Sequence, residues 1–173
     1  MKNQRVDYQT SELRRKDLVE SPVEMFRIWF DQVEGIHPFE STAMTLSTTN
    51  KDGKPSSRVV LLKGYDEKGF VFYTNYESRK GREIEENPYG SLNFYWPSQE
   101  RQVRVYGKLR KVSHSRSEKY FHSRPFRSQI AALASNQSGV IENRDALKKK
   151  FDGLESLKEQ IIKDISTAKA YFG

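Results

Sequence analysis

Short β-type segments separated by turn signals are the feature that most constrains the fold of this chain. The clearest turn is Asn50-Lys51-Asp52-Gly53, whose composition is typical of the connection between hairpin strands. Short strands joined in this way, with few helices between them, favour an antiparallel β-barrel over a parallel sheet. The segments predicted as strands are Ala43–Thr48, Arg58–Lys63, Gly69–Thr74, Ser91–Trp96 and Arg101–Val112.

Two kinds of hydrophobic pattern occur in these strands. Val59–Leu62 and Gly69–Thr74 are nearly continuous apolar runs, which predict buried strands. Ser91–Trp96 and Arg101–Val112 alternate apolar with polar residues instead, which is typical of strands with one face in the core. Gln102 lies on the polar face of the last strand, where its amide could bind a planar heterocycle or simply face water.

Helices are predicted on either side of these strands, so the fold class is mainly β with flanking helices, an α+β protein. Proline, glycine and asparagine mark their ends, as they commonly do. The predicted helices run from Ser21-Pro22 to Gly35, from Arg79 to Asn87-Pro88, from Ser115 towards Pro125, over Arg127–Ala134 and from Asn143 onward. The last helix has an apolar stripe formed by Leu147, Phe151, Leu154, Leu157, Ile161 and Ile165.

The length of 173 residues fits one domain with a substantial core. Residues 1–20 are polar and charged without periodicity, and we expect them to form a mobile N-terminal arm. Residues 21–173 contain no internal repeat, low-complexity segment or linker, and we expect them to form a single domain.

Composition excludes several classes of chemistry. The chain has no cysteine, so disulfides and thiolate catalysis are excluded, and its three histidines lack the spacing of a metal site. No apolar run approaches membrane-spanning length and the N-terminus lacks a signal-peptide core, so we expect a cytoplasmic protein that binds no membrane. Thirty Lys+Arg against 23 Asp+Glu give a net charge of +7, which suits phosphorylated small molecules, nucleic acid or acidic lipid.

Cationic residues lie beside two of the predicted strands. Arg58 and Lys63 flank one apolar run, and Arg79 and Lys80 follow Ser78, which is the expected N-cap of a predicted helix. The free N–H groups of a helix start, with two cations beside them, form a ready phosphate site. The alternative is that Arg58 and Lys63 only cap strand ends at the surface.

A second group could bind a phosphate dianion. Tyr120, Arg124 and Ser128 are spaced four apart, which would align them on one helix face, and Lys63 would add a second cation. Pro125 interrupts that helix, and a solvent-exposed basic helix is the alternative. The sequence contains no convincing nucleophile–base arrangement or paired-carboxylate site, so redox or transfer chemistry would need a cofactor. No catalytic residue is assigned.

Three longer segments carry a family resemblance. They are RVVLLKGYDEKGFVFYTNYESRKGREIEENP, ERQVRVYGKLRKVS and KYFHSRPFRSQIAALASNQS. Together they closely resemble the pyridoxamine 5′-phosphate oxidase family, from the N-terminal RVDY to the helix beyond Asn143. The resemblance implies an FMN-binding split barrel, which is an antiparallel, Greek-key-like β-barrel, in a homodimer with FMN at the interface. It also implies oxidation of pyridoxamine or pyridoxine 5′-phosphate to pyridoxal 5′-phosphate, with O2 as acceptor and H2O2 as product.

The resemblance assigns residues to both ligands, position by position. The expected FMN contacts are Arg58, Val59, Val60, Leu61, Leu62, Lys63, Tyr73, Thr74, Arg79, Lys80, Gln102, Gln137 and Ser138. The expected contacts to the substrate phosphate are Lys63, Tyr120, Arg124 and Ser128. Arg5 to Tyr8 correspond to the family's N-terminal lid, with Arg5 and Tyr8 as expected substrate contacts.

The chain departs from the family pattern at Tyr171-Phe172-Gly173, beyond which family members continue into final strands that contact the flavin and the pyridine ring. A shortened version of the gene product, an early stop and a member that no longer needs turnover are the alternatives. A catalytically impaired protein that binds FMN or a B6 phosphate is therefore the alternative function. A nucleic-acid-binding barrel, suggested by charge and aromatic strands, is disfavoured because acidic residues are interspersed throughout.

Overall fold

The computed structural model describes residues 7, 9 and 12–172, and the side chains of these residues up to 164. Two compact units emerge from the contacts within the chain. The first consists of Met1–Tyr73 and Glu83–Leu109, and the second of Thr74–Arg82 and Arg110–Gly173. Each unit is described by itself, and the single domain predicted for residues 21–173 stays a prediction, as does the mobile arm.

The first unit contains an antiparallel sheet of four strands, which are β1 (Ala43–Thr49), β2 (Pro55–Leu61), β5 (Tyr89–Trp96) and β6 (Arg101–Lys108). They lie in the order β2-β1-β5-β6. The hairpin turn at Asn50 to Gly53 joins β1 to β2, as predicted, and Gly53 has a φ of 77°, which glycine adopts without strain. A separate hairpin pairs β3 (Gly64–Asp66) with β4 (Gly69–Val71).

One face of this sheet forms the core with helix α1 (Pro22–Glu34), which is followed by the short helix α2 (Pro38–Thr42). Ser21 caps α1 by accepting a hydrogen bond from the Glu24 N–H, and the predicted helix from Pro22 to Gly35 is confirmed. Phe26 of α1 makes edge contacts with Phe70 and Phe94 at centroid distances of 4.8 and 5.0 Å. Phe94 and Trp96 are fully buried, as the alternation of β5 predicts.

The second unit is helical apart from its loops. Its helices are α4 (His114–Ser123), α5 (Phe126–Ala134), α6 (Arg144–Phe172) and the first turn of α3 (Arg79–Glu86), whose second turn belongs to the first unit. α3 ends before Asn87-Pro88 and α4 ends before Arg124-Pro125, as predicted. Asn143 caps α6 through a 2.7 Å hydrogen bond from the Ala146 N–H to its side-chain oxygen.

The prediction that Arg58–Lys63 is a buried strand is wrong. The strand spans Pro55–Leu61 and alternates between exposed and half-buried residues, with Val59 66% exposed. β2 is an edge strand of the sheet with one face outside the core, and an apolar run alone does not distinguish this position from a central one. Lys63 lies beyond the strand and is exposed.

Other bounds also differ from prediction. Gly64–Asp66, predicted as part of a turn, forms strand β3, and the strand predicted over Gly69–Thr74 ends at Val71. The strand predicted to reach Val112 ends at Lys108. In α6 the predicted apolar stripe is half-buried up to Leu154, but Leu157 and Ile161 are exposed, and the side chain of Ile165 lies outside the described part.

Candidate functional site

The start of α3 is built around a buried serine. Ser78 is fully buried, and its hydroxyl oxygen accepts a 3.3 Å hydrogen bond from the N–H of Gly81 while it donates to the Asn75 carbonyl at 2.6 Å. Ser78 is therefore the N-cap that the sequence predicts. A glycine is required at position 81, because a Cβ there would lie 2.0 Å from the carbonyl oxygen of Tyr76. The first turn of α3 thus packs directly on the backbone before it.

Lys80 lies in this first turn with its ammonium inside the second unit. The residue is 8% exposed, and its Nζ donates to Oε1 of Gln137 at 3.0 Å and to the Ser78 hydroxyl at 3.3 Å. A buried ammonium is stable only where oxygen acceptors surround it. Arg79, by contrast, is exposed. The structure therefore brings together two of the predicted FMN contacts, Lys80 and Gln137, from positions far apart in the sequence.

The loop that follows α5 carries Gln137 and Ser138. Ser138 has a φ of 69°, in the left-handed region, and the Gly139 N–H closes a turn by donating to the Asn136 carbonyl at 2.9 Å. Non-glycine residues adopt this φ rarely, and such positions cluster at binding sites. Both predicted contacts in the loop, Gln137 and Ser138, are exposed.

Thr74 opens the segment that leads to α3. Its hydroxyl oxygen is buried and has no hydrogen-bond partner among the residues that the structure describes. A buried hydroxyl without a partner is unfavourable, and in a native protein it calls for a specific explanation such as a ligand or ordered water. A nearby open hollow of about 390 Å³ is lined by residues that include Asn75, Ser135 and Lys150.

In the first unit, Arg58 is half-buried on the core-facing side of β2. Its Nη1 donates to the Thr48 hydroxyl at 2.6 Å and to the Leu46 carbonyl at 3.2 Å. Its Nη2 donates to the Ser56 hydroxyl and lies 3.1 Å from Oε2 of Glu83, a carboxylate of α3 that is 4% exposed. Arg58 is therefore neither a simple surface cap nor a free cation, because it belongs to a buried polar network.

The neighbouring predicted FMN contacts divide between two faces of β2 and its continuation. Val59 and Leu61 point outward and are 66% and 36% exposed, Val60 is half-buried, and Leu62 is 4% exposed. Lys63 donates its backbone N–H to the Val71 carbonyl at 2.8 Å, which links it to the β3–β4 hairpin. Tyr73 is half-buried at the end of the first unit.

Gln102 lies on the exposed face of β6, opposite Tyr95 in the register with β5. The residue before it, Arg101, points to the other face, where its guanidinium lies 4.9 Å from the centroid of the Trp29 ring. Burial in this position lowers the pKa of Arg101 from its ordinary value. Gln102 thus keeps its amide outside the core, as the alternation predicts.

The predicted phosphate group of Tyr120, Arg124 and Ser128 does not form one helix face. Tyr120 is in α4, Ser128 is in α5, and Arg124 between them is extended, with φ −74° and ψ 150°. Pro125 causes this break, because its ring excludes the helical conformation for the residue before it. The buried side chain of Gln129 stabilises the corner by donating to the carbonyls of Arg124 and His122 at 2.8 and 3.3 Å.

Arg5 and Tyr8, the expected substrate contacts of the arm, lie outside the described residues. Gln9 is described, and its backbone N–H donates to both carboxylate oxygens of Glu100 at 2.9 and 3.1 Å. Within the described ranges, no helix is long and apolar enough to cross a membrane. The same residues contain no cluster of three or more acidic or histidine side chains that could bind a metal ion.

Sequence reasoning missed the polar network around Arg58. Glu83, Thr48 and Ser56 received no role, although a signal was present. Thr48 shares the core face of β1 with Met44 and Leu46, and Ser56 and Arg58 share the core face of β2 with Val60. Polar residues at core-facing positions of an alternating strand predict a buried hydrogen-bond network.

Two solved structures resemble this fold. PhzG from Burkholderia lata 383, in complex with tetrahydrophenazine-1-carboxylic acid, aligns with a TM-score of 0.80 at 28% identity over 86% of this chain and 75% of its own. A pyridoxamine 5′-phosphate oxidase-related, FMN binding protein from Nostoc punctiforme aligns with a TM-score of 0.60 at 17% identity. The alignment covers 76% of this chain and 73% of that protein. The predicted fold class is confirmed, and the chain is an antiparallel α+β protein of the FMN-binding split-barrel class.

Sequence comparison narrows the class to a family. Residues 31–158 match the family model described as pyridoxamine 5′-phosphate oxidase. The pyridoxine/pyridoxamine 5′-phosphate oxidase of Cytophaga hutchinsonii is 49% identical over 152 residues, which are 88% of this chain and 71% of that enzyme. The chain belongs to the pyridoxamine 5′-phosphate oxidase family.

The chemistry of the residues in each unit fits the cofactor of this class. FMN combines a phosphate with a flat ring and a polyhydroxyl chain. The second unit offers the buried ammonium of Lys80, the unpartnered hydroxyl of Thr74 and the N–H groups at the start of α3. Ammonium, hydroxyl and helix N–H groups are the donors that phosphate oxygens require.

Proposed function

We propose that this protein is an FMN-dependent oxidase that converts pyridoxamine or pyridoxine 5′-phosphate to pyridoxal 5′-phosphate, with O2 as acceptor and H2O2 as product. The observation that carries the proposal is the buried ammonium of Lys80, held by Gln137 and Ser78 at the start of α3. Family membership over most of the chain supports the same reaction. The FMN ring, when bound, supplies the electron acceptor for a hydride equivalent from C4′ of the substrate.

The second unit supplies the phosphate-binding part of the FMN site in this proposal. Lys80 and Arg79 provide positive charge, and the first N–H groups of α3 point away from the helix at its N-terminus. Thr74, Gln137 and Ser138 add neutral donors. The Lys80 ammonium already donates to the Ser78 hydroxyl and to Gln137. Its position is therefore fixed before the FMN phosphate binds.

The first unit supplies contacts to the rest of FMN. Of the backbone from Val59 to Lys63, the part up to Leu61 is an extended strand. Val59 and Leu61 are exposed, so the peptide groups of this strand lie beside an exposed face of the sheet. Gln102 presents an amide on the exposed face of β6, and Tyr73 presents a half-buried ring. Arg58 is the remaining predicted contact of this unit. A side-chain amide and peptide groups can satisfy the hydrogen-bonding edge of a flavin ring.

The substrate phosphate requires a separate set of donors. We assign this role to Lys63 in the first unit and to Tyr120, Arg124 and Ser128 in the second. The corner between α4 and α5 keeps Arg124 extended, and the buried Gln129 holds the backbone there. Arg5 and Tyr8 complete the proposal as contacts from the N-terminal arm.

A homodimer with FMN at its interface is the proposed assembly. The exposed face of the sheet supports it, because Val59, Tyr95 and Tyr106 are 66%, 64% and 76% exposed there. Aromatic side chains such as these two tyrosines are enriched at protein–protein interfaces. Analytical ultracentrifugation tests the assembly. Val59→Asp is expected to shift the protein towards the monomer, and a wild-type monomer at all concentrations would contradict it.

The reaction is tested with the purified 173-residue chain and FMN. The holoprotein is expected to show a flavin absorbance band and, in air, to convert pyridoxine 5′-phosphate to pyridoxal 5′-phosphate with one equivalent of H2O2. A colourless protein that takes up no FMN would overturn the whole proposal. Tight FMN binding without product from either B6 phosphate would overturn the oxidase and leave a protein that binds FMN or a B6 phosphate.

A further inference from the structure

The buried polar network of the first unit contains a carboxylate without an assigned role. Oε2 of Glu83 accepts hydrogen bonds from the Thr48 hydroxyl at 2.5 Å, the Ser56 hydroxyl at 2.6 Å and Nη2 of Arg58 at 3.1 Å. Glu83 is 4% exposed. A carboxylate this deeply buried persists only where charged and polar donors compensate its lost hydration.

The same network fixes the plane of the Arg58 guanidinium. Nη1 has two acceptors, the Leu46 carbonyl and the Thr48 hydroxyl, and Nη2 has two more, the Ser56 hydroxyl and Glu83. A guanidinium has five N–H groups in one rigid plane. Four occupied N–H groups therefore set the direction of the fifth, on Nε, which has no hydrogen-bond partner among the described residues.

The two hydroxyls connect the cation to the carboxylate. Thr48 and Ser56 each accept a hydrogen bond from Arg58 and donate one to Glu83. They lie opposite each other in the register of β1 and β2. Each hydroxyl oxygen accepts from Arg58 through a lone pair while its single proton is donated to Glu83, so the carboxylate fixes the direction in which the lone pairs face Arg58. The orientation of Arg58 thus depends on the carboxylate directly and through both hydroxyls.

We propose that Glu83 is a positioning residue for the cofactor: its buried carboxylate, with Ser56 and Thr48, holds the Arg58 guanidinium in the one orientation in which Nε is presented to FMN. This inference rests on the proposed function, because it takes Arg58 as an FMN contact. Glu83 itself does not touch the cofactor. Its contribution is to fix Arg58 before FMN arrives, which avoids the cost of ordering a long cationic side chain during binding.

The test measures the Kd of FMN by flavin fluorescence for Glu83→Ala, Glu83→Gln and Arg58→Ala, and for Glu83→Ala combined with Arg58→Ala. Glu83→Ala is expected to raise the Kd about tenfold, as expected for a lost hydrogen bond of a charged group. Glu83→Gln keeps an oxygen acceptor in place and is expected to rescue most of this loss. In the Arg58→Ala background, Glu83→Ala is expected to change the Kd no further.

A matched control separates positioning from stability. Glu86 lies on the same helix and its Oε2 accepts a hydrogen bond from the Lys51 N–H at 3.2 Å, so it also joins α3 to the β1–β2 hairpin. Glu86→Ala is expected to lower Tm without changing the Kd of FMN. Should Glu83→Ala behave in the same way, or raise the Kd equally with and without Arg58, the inference is wrong.

A milder variant covers the case in which Glu83→Ala does not fold. Ser56→Ala removes one of the two connecting hydroxyls and leaves the charge pair in place. It is expected to raise the Kd severalfold in the wild-type background and not in the Arg58→Ala background. Wild-type protein that binds no FMN would overturn the proposed function itself. Wild-type binding with an unchanged Kd in Ser56→Ala, when Glu83→Ala cannot be made, would overturn only the role of Glu83.

Discussion

The ammonium of Lys80 lies 3.0 Å from the side-chain oxygen of Gln137, although 57 residues separate the two in the sequence. This contact joins the first turn of α3 to the loop after α5 within the second unit. The resemblance assigns both residues to FMN, and the position of Lys80 at a helix start independently predicts a phosphate contact. Their contact makes the assignment testable, because it fixes a buried cation in the first turn of α3, where the proposal places the FMN phosphate.

Replacing Lys80 by methionine is expected to raise the Kd of FMN by about tenfold to a hundredfold, the cost of losing a hydrogen bond from a charged donor. Flavin fluorescence titration measures the effect. Lys148→Met is the control, since it removes the same charge from an exposed lysine that pairs with Asp152 at 2.8 Å. An equal, small effect of both substitutions would mean that only the net charge matters.

Arg124→Ala is expected to raise KM for pyridoxine 5′-phosphate about tenfold or more with little change in the Kd of FMN. Arg124 is half-buried at the corner between α4 and α5, and its guanidinium has no hydrogen-bond or ion-pair partner among the described residues. Steady-state kinetics at saturating FMN measure KM. The control is Arg116→Ala, at an exposed arginine of α4. A parallel rise in the Kd of FMN would contradict the assignment to substrate.

Periodicity and turn signals predicted most of the elements, because both are local properties. The Ser21 and Ser78 caps, the turn at Gly53 and the buried face of β5 are all where the sequence places them. Local patterns could not show that β2 is an edge strand, since the position of a strand in a sheet depends on pairing with distant residues. Val59 was therefore predicted to be buried and is exposed.

The site could be predicted only in part for the same reason. Pro125 is a local signal that interrupts the helix, and the structure confirms that Tyr120, Arg124 and Ser128 do not share a helix face. The partnership of Arg58 with Glu83 spans 25 residues and two kinds of secondary structure, so no spacing rule reveals it. The family resemblance named the residues of the site but not the side chains that hold them in place.

Phe94→Ala is expected to lower the free energy of unfolding by about 3–5 kcal/mol, the usual cost of removing a buried aromatic ring. Phe94 is fully buried and contacts the rings of Phe26 and Trp96 at 5.0 and 5.6 Å. Urea unfolding measures the loss. Tyr95→Ala changes the next residue, which is 64% exposed on the other face, and should cost much less in the monomer. Similar losses of unfolding free energy in Phe94→Ala and Tyr95→Ala would contradict a core on only one face of the sheet.

Tyr65 gives the first unit a pH-dependent contribution to stability. Burial among aromatic rings, with the charge of Asp31 adding to it, raises the pKa of Tyr65 above its ordinary value of 10. The contribution is therefore complete below about pH 10, the unfolded pKa, and is lost as pH rises through the higher folded pKa. Between pH 9 and a pH above the folded pKa of Tyr65, the wild-type protein should lose more free energy of unfolding than Tyr65→Phe, as measured by urea unfolding. Parallel losses would contradict this.

Gly81→Ala is expected to destabilise the protein, whereas Gly153→Ala is expected to stabilise it. A Cβ at Gly81 would lie 2.0 Å from the carbonyl oxygen of Tyr76 and 2.5 Å from its carbon, so the backbone before α3 would have to shift. A Cβ at Gly153, in the middle of α6, meets nothing within 4 Å. Alanine at such a helical position is favoured over glycine by about 0.5–1 kcal/mol.

Urea unfolding of both variants measures whether each substitution lowers or raises the free energy of unfolding. Titration of Gly81→Ala with FMN measures whether the cofactor site is changed. A shifted first turn would displace Lys80 from Gln137, so its Kd for FMN should rise along with the loss of stability. Gly153→Ala should leave the Kd unchanged. If Gly81→Ala were as stable as wild type and bound FMN normally, the close packing of α3 on Tyr76 would not exist in solution, and the preorganised position of Lys80 would lose its structural basis.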